Sequence, residues 1–183
     1  MQLNTRNHAI LSIDDDPMIL KVLEDLVTRA GYESFSAKTA ADALRLAGDR
    51  QFAVIIADHN MPDMMGAELL SRFSQIQPSA SRVLITGIKT FDVVSAAVNS
   101  GEIFRFVTKP WISAEMMATL HNAVQRFDLI ETNKALEKQS QDLNQKLSAA
   151  NLQLDKQLKD LENDKMEIDA THDSLKTNFS RSL

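Results

Sequence analysis

The chain has 183 residues, 44% apolar and 25% charged, which suits one globular domain of ordinary size with additional length beyond it. An excess of 25 acidic over 20 basic side chains gives a net charge of −5, so bulk electrostatics offer nucleic acid nothing, and no local basic stripe reverses that. Without cysteine there are no disulfides, thiolate zinc sites or cysteine nucleophiles; no apolar run spans a membrane and MQLNTRNHAI has no signal-peptide core, so a cytoplasmic protein is expected.

Taken in chain order, HAILSI (8–13) reads as a strand that runs straight into Asp14, Asp15 and Asp16. Asp16 followed by Pro17 is an N-cap with proline at the first helical position, and Gly31 stands where that helix should close. YESFSA (32–37) is a weaker strand, after which Thr39 can cap TAADALRLAG. FAVIIA (52–57) is a third strand, ending at Asp58, and Gly66 opens the helix GAELLSRF. RVLIT (82–86) is a fourth, ending at Thr86, with a helix expected over Phe91–Ser100 and closed by Gly101; FRFVT (104–108) is the fifth, followed by Lys109 and Pro110. Alternating strands and helices imply a parallel sheet covered on both faces, with ligands bound at the carboxyl ends of its strands.

From Ser113 the character changes. Roughly seventy residues contain neither Gly nor Pro, enough for a helix on the order of 100 Å if unbroken. Leu136, Leu143, Leu147, Leu154 and Leu158 follow a 7-then-4 spacing, and Leu161, Ile168 and Leu175 continue Leu147 and Leu154 in a strict seven-residue series. The intervening seam positions are poor: Ala150, Gln157, Asp164 and Thr171 in one frame, Asn151, Leu158, Lys165 and His172 in the other. A weak coiled coil is expected, with the division at 1–127 and 128–183 and a parallel homodimer through residues 128–178. The narrow apolar stripe argues against a helix folded back on the first domain.

The strand rule brings Asp14, Asp15, Asp58, Thr86 and Lys109 to one edge of one sheet. Converging carboxylates repel and need a counterion; a hard divalent cation such as Mg²⁺, with carboxylates, a carbonyl and waters around it, supplies one. A lysine adds a second positive charge and a threonine hydroxyl a donor for a phosphoryl oxygen, together a kit for phosphoryl transfer with a carboxylate as nucleophile. Each piece alone is bland. An Asp pair is commonly a capped turn, and Asp16 is read as only the cap, whereas a carboxylate closing a buried strand, as at Asp58, is costly unless partnered.

The order IDDDP, IIADHNMPDMMG, LITG, FVTKP across residues 8 to about 127 resembles the receiver domain of two-component response regulators. That resemblance implies an α/β fold, a doubly wound, flavodoxin-like (βα)5 domain with strand order 2-1-3-4-5, its last helix here extended into the long coiled coil. It also implies a phosphoryl group accepted from a sensor histidine kinase or phosphotransfer protein. By motif, Asp58 is the phosphoacceptor; Asp15 and Asp58 ligate Mg²⁺ with the backbone carbonyl of Asn60, and Asp14 acts through water or as a further ligand. Thr86 binds the phosphoryl group, Lys109 pairs with phosphoryl oxygen beside a peptide bond to Pro110 that the family tends to make cis, and Phe106 is the switch aromatic.

Met65 stands where the family often has an acid, Phe106 lacks the hydroxyl of a tyrosine, and Ile88 and Asn60 occupy the positions that shape water access to the acceptor. His8, His59, His121 and His172 have no ligand spacing. Trp111 is read as an anchor beside the long helix, and Met116, Met117, Leu120, Val124 and Phe127 as that helix's inward face. A haloacid-dehalogenase-like phosphatase shares the chemistry, with Asp14 and Asp16 as its acid pair, but would leave Asp58 without a role; a receiver scaffold kept for its coiled coil would not need the full set. FRFVTKPW before a long helix also resembles regulators with cyclic-di-GMP phosphodiesterase or cyclase domains downstream. The chain is thus not expected to be a stand-alone enzyme, and the signal is expected to pass through the coiled coil to an output domain or partner beyond Leu183. No helix-turn-helix follows the receiver segment, so DNA binding is not expected.

Overall fold

Five short strands, β1 (Ala9–Ile13), β2 (Glu33–Ala37), β3 (Val54–Asp58), β4 (Ser81–Thr86) and β5 (Arg105–Thr108), pair in parallel in the order β2-β1-β3-β4-β5. The helices between and after them are α1 (Pro17–Arg29), α2 (Ala40–Asp49), α3 (Gly66–Ile76) and α4 (Ser113–Ser180). The structure, a computed structural model, describes residues 8–87 and 103–180; Ile88 and the helix expected over Phe91–Ser100 with its closing Gly101 lie outside the described residues.

Strands buried on both faces should read as continuous apolar runs, and the central ones do: every residue of β3 and β4 is buried. Alternation along the strands then divides the apolar side chains between two cores. Leu11, Ile13, Ile55, Ala57 and Leu84 pack with Leu69, Leu70 and Phe73 of α3 and with Ala40, Ala43 and Ala47 of α2. Ile10, Val54, Ile56, Val83, Ile85 and Val107 pack with Leu23, Leu26 and Val27 of α1 and with Met116, Leu120 and Val124 of α4, while Trp111, Met117 and Phe127 close that core's edge. The inward face expected for the start of α4 is therefore the observed one.

Local signals place the helix ends. The Asp16 side chain accepts from the Met18 amide at 2.8 Å, with Pro17 opening α1. At its other end Gly31 adopts φ +85°, a left-handed conformation that suits glycine, and the Gly31 and Tyr32 amides donate to the Thr28 and Val27 carbonyls. Thr39 caps α2 by accepting from the Asp42 amide.

The chain divides into two units, one ending at Asn133 and the other beginning at Lys134. In the second, Leu136, Leu143, Leu147, Leu154, Leu158, Leu161 and Ile168 are all more than half exposed. No described helix is long and apolar enough to cross a membrane.

Candidate functional site

The parallel register aligns the strand ends: Ile13 lies beside Ala57, Asp58 beside Ile85, and Thr86 beside Thr108. The residues that end or follow these strands therefore meet at one edge. Asp14 follows β1, Asp58 is the last residue of β3, Thr86 the last of β4, and Lys109 follows β5. The Lys109 backbone amide donates to the Thr86 carbonyl at 2.8 Å, and the Lys109–Pro110 peptide is cis. From there the Lys109 ammonium sits 2.9 Å from Asp14 Oδ2 and 2.7 Å from Asp58 Oδ1.

Asp14 is 1% and Asp58 6% exposed, a placement that is costly for carboxylates unless every oxygen finds a donor. Every one does. Asp14 Oδ1 accepts from the Asp16 amide and Asp58 Oδ2 from the Asn60 amide, both at 2.9 Å, while Lys109 serves the other two oxygens. Burial pushes the Asp14 carboxyl above its ordinary range, against the pull of the Lys109 hydrogen bond, the Asp16 amide and the Lys109 charge. Burial also presses on Lys109, but hydrogen bonds to Asp58 and Asp14, with the charges of both, outweigh it and hold the ammonium above its ordinary value.

Thr86 is buried, with its hydroxyl donating to the Gly87 carbonyl at 3.2 Å. Phe106, beside Leu84 on the neighbouring strand, is half-buried against the core that holds Leu84 and Ala57. Asp15 is exposed at the end of β1. Of the three carboxylates expected to converge, two meet at one ammonium and the third faces solvent: a single lysine can serve two buried acids, and a third would add repulsion without a donor. Among the described residues no three acidic or imidazole groups gather as a metal cage. Two buried carboxylates, an exposed one and the Asn60 backbone nonetheless suit Mg²⁺, which keeps several waters and takes only one or two carboxylates directly.

The loop after Asp58 is held tightly. Asn60 forms an isolated bridge with Met65, and the Gly66 amide donates to the His59 carbonyl at 3.0 Å. A Cβ at Gly66 would fall on the Asp58 carbonyl oxygen, so this glycine is required by close approach and not by its dihedral angles. Two further features of this loop are set by the tertiary structure. The Asp63 carboxylate accepts from the Ala40 amide, a partner 23 residues away, and His59 is buried with neither ring nitrogen hydrogen-bonded. His8, by contrast, meets Asp128 at 3.2 Å.

The family model of the response regulator receiver domain matches residues 10–121. The chain belongs to the response regulator receiver family. Among curated relatives, the receiver is 35% identical over 117 residues to the transcriptional regulatory protein KdpE of Mycobacterium tuberculosis, an alignment covering 64% of this chain and 51% of that protein. It is 32% identical over 101 residues to the transcriptional regulatory protein GlrR of Escherichia coli, covering 55% and 22%. The chain thus spans from about a fifth to about half of these relatives' length. The solved signal receiver domain of an HD domain-containing protein from Pseudomonas fluorescens Pf-5 matches at 32% identity and TM-score 0.67, covering 72% of this chain and 97% of that one. A structure from Rhodopirellula baltica described as adenylate cyclase matches at 28% and 0.70, covering 72% and 98%.

Proposed function

We propose that this receiver accepts a phosphoryl group on Asp58 from the phosphohistidine of a sensor kinase or phosphotransfer protein. The observation that carries the reading is the Lys109 ammonium between two buried carboxylates at the strand ends, 2.9 Å from Asp14 and 2.7 Å from Asp58. A carboxylate oxygen of Asp58 forms the new O–P bond as the P–N bond of the donor breaks; the electron pair returns to the donor imidazole, which leaves as the neutral ring after taking up a proton. Lys109 orients Asp58 and presents its charge to the phosphoryl oxygens, which is where such reactions need stabilisation. Mg²⁺, held by Asp14, Asp15, Asp58 and the Asn60 backbone carbonyl together with water, would neutralise phosphoryl charge. Thr86 exchanges its bond to the Gly87 carbonyl for one to a phosphoryl oxygen, and Phe106, on the adjacent strand, repacks as Thr86 moves.

Residues 128–183 are read as the extension that carries the signal, pairing two chains in parallel through residues 128–178. The support is the exposed series Leu147, Leu154, Leu161 and Ile168 at seven-residue spacing. Polar seam residues such as Gln157 and Asp164 keep the pairing weak enough for a modest bias to change it. Output then lies with a domain or partner beyond Leu183. An output enzyme such as a cyclic-di-GMP phosphodiesterase or a cyclase is proposed from FRFVTKPW running into the long helix; a receiver of an HD domain-containing protein and a structure described as adenylate cyclase are in keeping with it, while the curated relatives are transcriptional regulatory proteins.

The test is intact mass after treatment with a small-molecule phosphodonor and Mg²⁺, on the wild type and on Asp58→Asn, with light scattering on the same samples. A base-labile phosphoryl gain present in the wild type and absent in Asp58→Asn is expected, with a dimer mass in scattering. A folded wild type that takes up no phosphoryl group would leave a receiver scaffold kept for its helix.

A further inference from the structure

We infer that Asp63 is a positioning residue for this site, acting through the corner between β2 and α2; the inference rests on the phosphoacceptor reading above. Asp63 lies in the loop between Asp58 and Gly66, and its Oδ2 accepts from the Ala40 amide at 2.7 Å. Ala40 is the first residue of α2, so its N–H has no partner within the helix, and the helix dipole favours an anion there. The helix already has a local cap, because Thr39 accepts from the Asp42 amide. The Asp63 carboxylate serves a second orphan donor of that helix, and because it comes from 23 residues downstream it also ties the helix start to another loop. It fastens the tip of the loop that carries Asn60.

The same corner fastens the other acidic loop. Ala37, the last residue of β2, accepts through its carbonyl from the Asp14 amide at 3.2 Å. Residues 37–40 thus hold the Asp14 backbone on one side and the Asp63 side chain on the other. At its base the second loop is pinned by the Asn60 amide on Asp58 Oδ2 and by the Gly66 amide on the His59 carbonyl. Pinned at base and tip, the loop presents the Asn60 backbone at a fixed spacing from Asp14 and Asp58. The brace matters most for a ligand that needs both loops at once, as Mg²⁺ would if held by Asp14, Asp58 and the Asn60 backbone carbonyl. Without the Asp63 tie the loop keeps its base but loses its lateral reference.

The test is calorimetric titration of Mg²⁺ into the full chain, beside thermal unfolding, for the wild type, Asp63→Ala, Asp63→Asn and Thr39→Ala. Partners that orient metal ligands without touching the metal are worth about tenfold or more in affinity, so Asp63→Ala is expected to weaken Mg²⁺ binding by about tenfold. Asp63→Asn, which keeps an acceptor for the Ala40 amide, should recover most of that loss. Thr39→Ala removes a cap from the same helix but leaves the tie, so it lowers the thermal midpoint while Mg²⁺ affinity stays within about twofold. If Asp63→Ala does not fold, Asp63→Glu replaces it: the charge remains, the loop shifts by one methylene, and weaker Mg²⁺ binding at an unchanged midpoint is expected. Unchanged affinity in Asp63→Ala, or in Asp63→Glu where that stands in, overturns the inference, as does an equal loss in Thr39→Ala. A wild type that binds no Mg²⁺ removes the phosphoacceptor reading itself, an outcome separate from any difference among the variants.

Discussion

Leu11, Ile55 and Leu84 in the receiver unit are fully buried, whereas Leu147, Leu154 and Leu161 in the helix beyond Lys134 are each more than half exposed. All are branched aliphatic side chains of one size; the difference lies in what surrounds them. Burying a leucine is worth about 2 kcal/mol. In the receiver the sheet and its helices supply that burial within one chain, while in the second unit the same kind of side chain lies more than half in solvent. Side chains at period two on strands and at 3.6 on short helices close on each other, but a single long helix has only itself, and isolated helices draw little stability from propensity alone.

The sharpest way to break the contrast is at Gly66, where closure is tightest. Gly66→Ala forces a methyl against the Asp58 carbonyl and is expected to cost the receiver about 3 kcal/mol, read from urea unfolding followed by Trp111 fluorescence. Helicity carried by residues 134–171 should not follow that transition.

Next comes the exposed seam. Leu154→Ala is expected to weaken self-association by about 2 kcal/mol per chain, seen as a concentration-dependent fall in sedimentation mass, with the receiver's unfolding midpoint unchanged. Asp164→Leu fills a polar seam position and should move the same measurement the other way. If both leave the mass untouched, the second unit does not pair through this seam.

Smaller effects sharpen the receiver side. His59 is buried with neither ring nitrogen bonded, so an apolar side chain of similar size leaves no polar group unsatisfied; His59→Leu should stabilise by about 1 kcal/mol in urea unfolding. A loss of stability would show that the imidazole finds a partner. At the bottom of the scale, Arg72 and Glu68 form a 2.9 Å pair one turn apart on α3 with both side chains about half exposed, and Arg72→Ala should change stability by less than about 0.5 kcal/mol.

Much of the site was legible because its residues belong to strand ends. Asp58 closes an unbroken apolar run, Thr86 another, and Lys109 precedes a proline, so a one-dimensional reading finds each by where the hydrophobic pattern stops. Caps were legible for the same reason, since Asp16, Thr39 and Gly31 act within four residues of their own position. Asp63 and His59 were not. Asp63 looks like any acid after a proline until α2 is laid beside its loop, and His59 is one of four histidines without ligand spacing, with nothing in the sequence to mark it as the buried one next to Asp58.

The sequence by itself determined the parallel sheet, the two-faced core, the long helix after Ser113 and the set of polar groups gathered at one edge, because periodicity and punctuation are local properties of a chain. Only the tertiary structure decided which of those groups touch. Lys109 reaches Asp14 across 95 residues and Asp63 reaches Ala40 across 23, while Asp15, next to Asp14 in the chain, stays in solvent. A pattern along the chain states which face a side chain is on; which donor a buried carboxylate receives depends on how neighbouring strands are aligned and on how many charges one ammonium can serve.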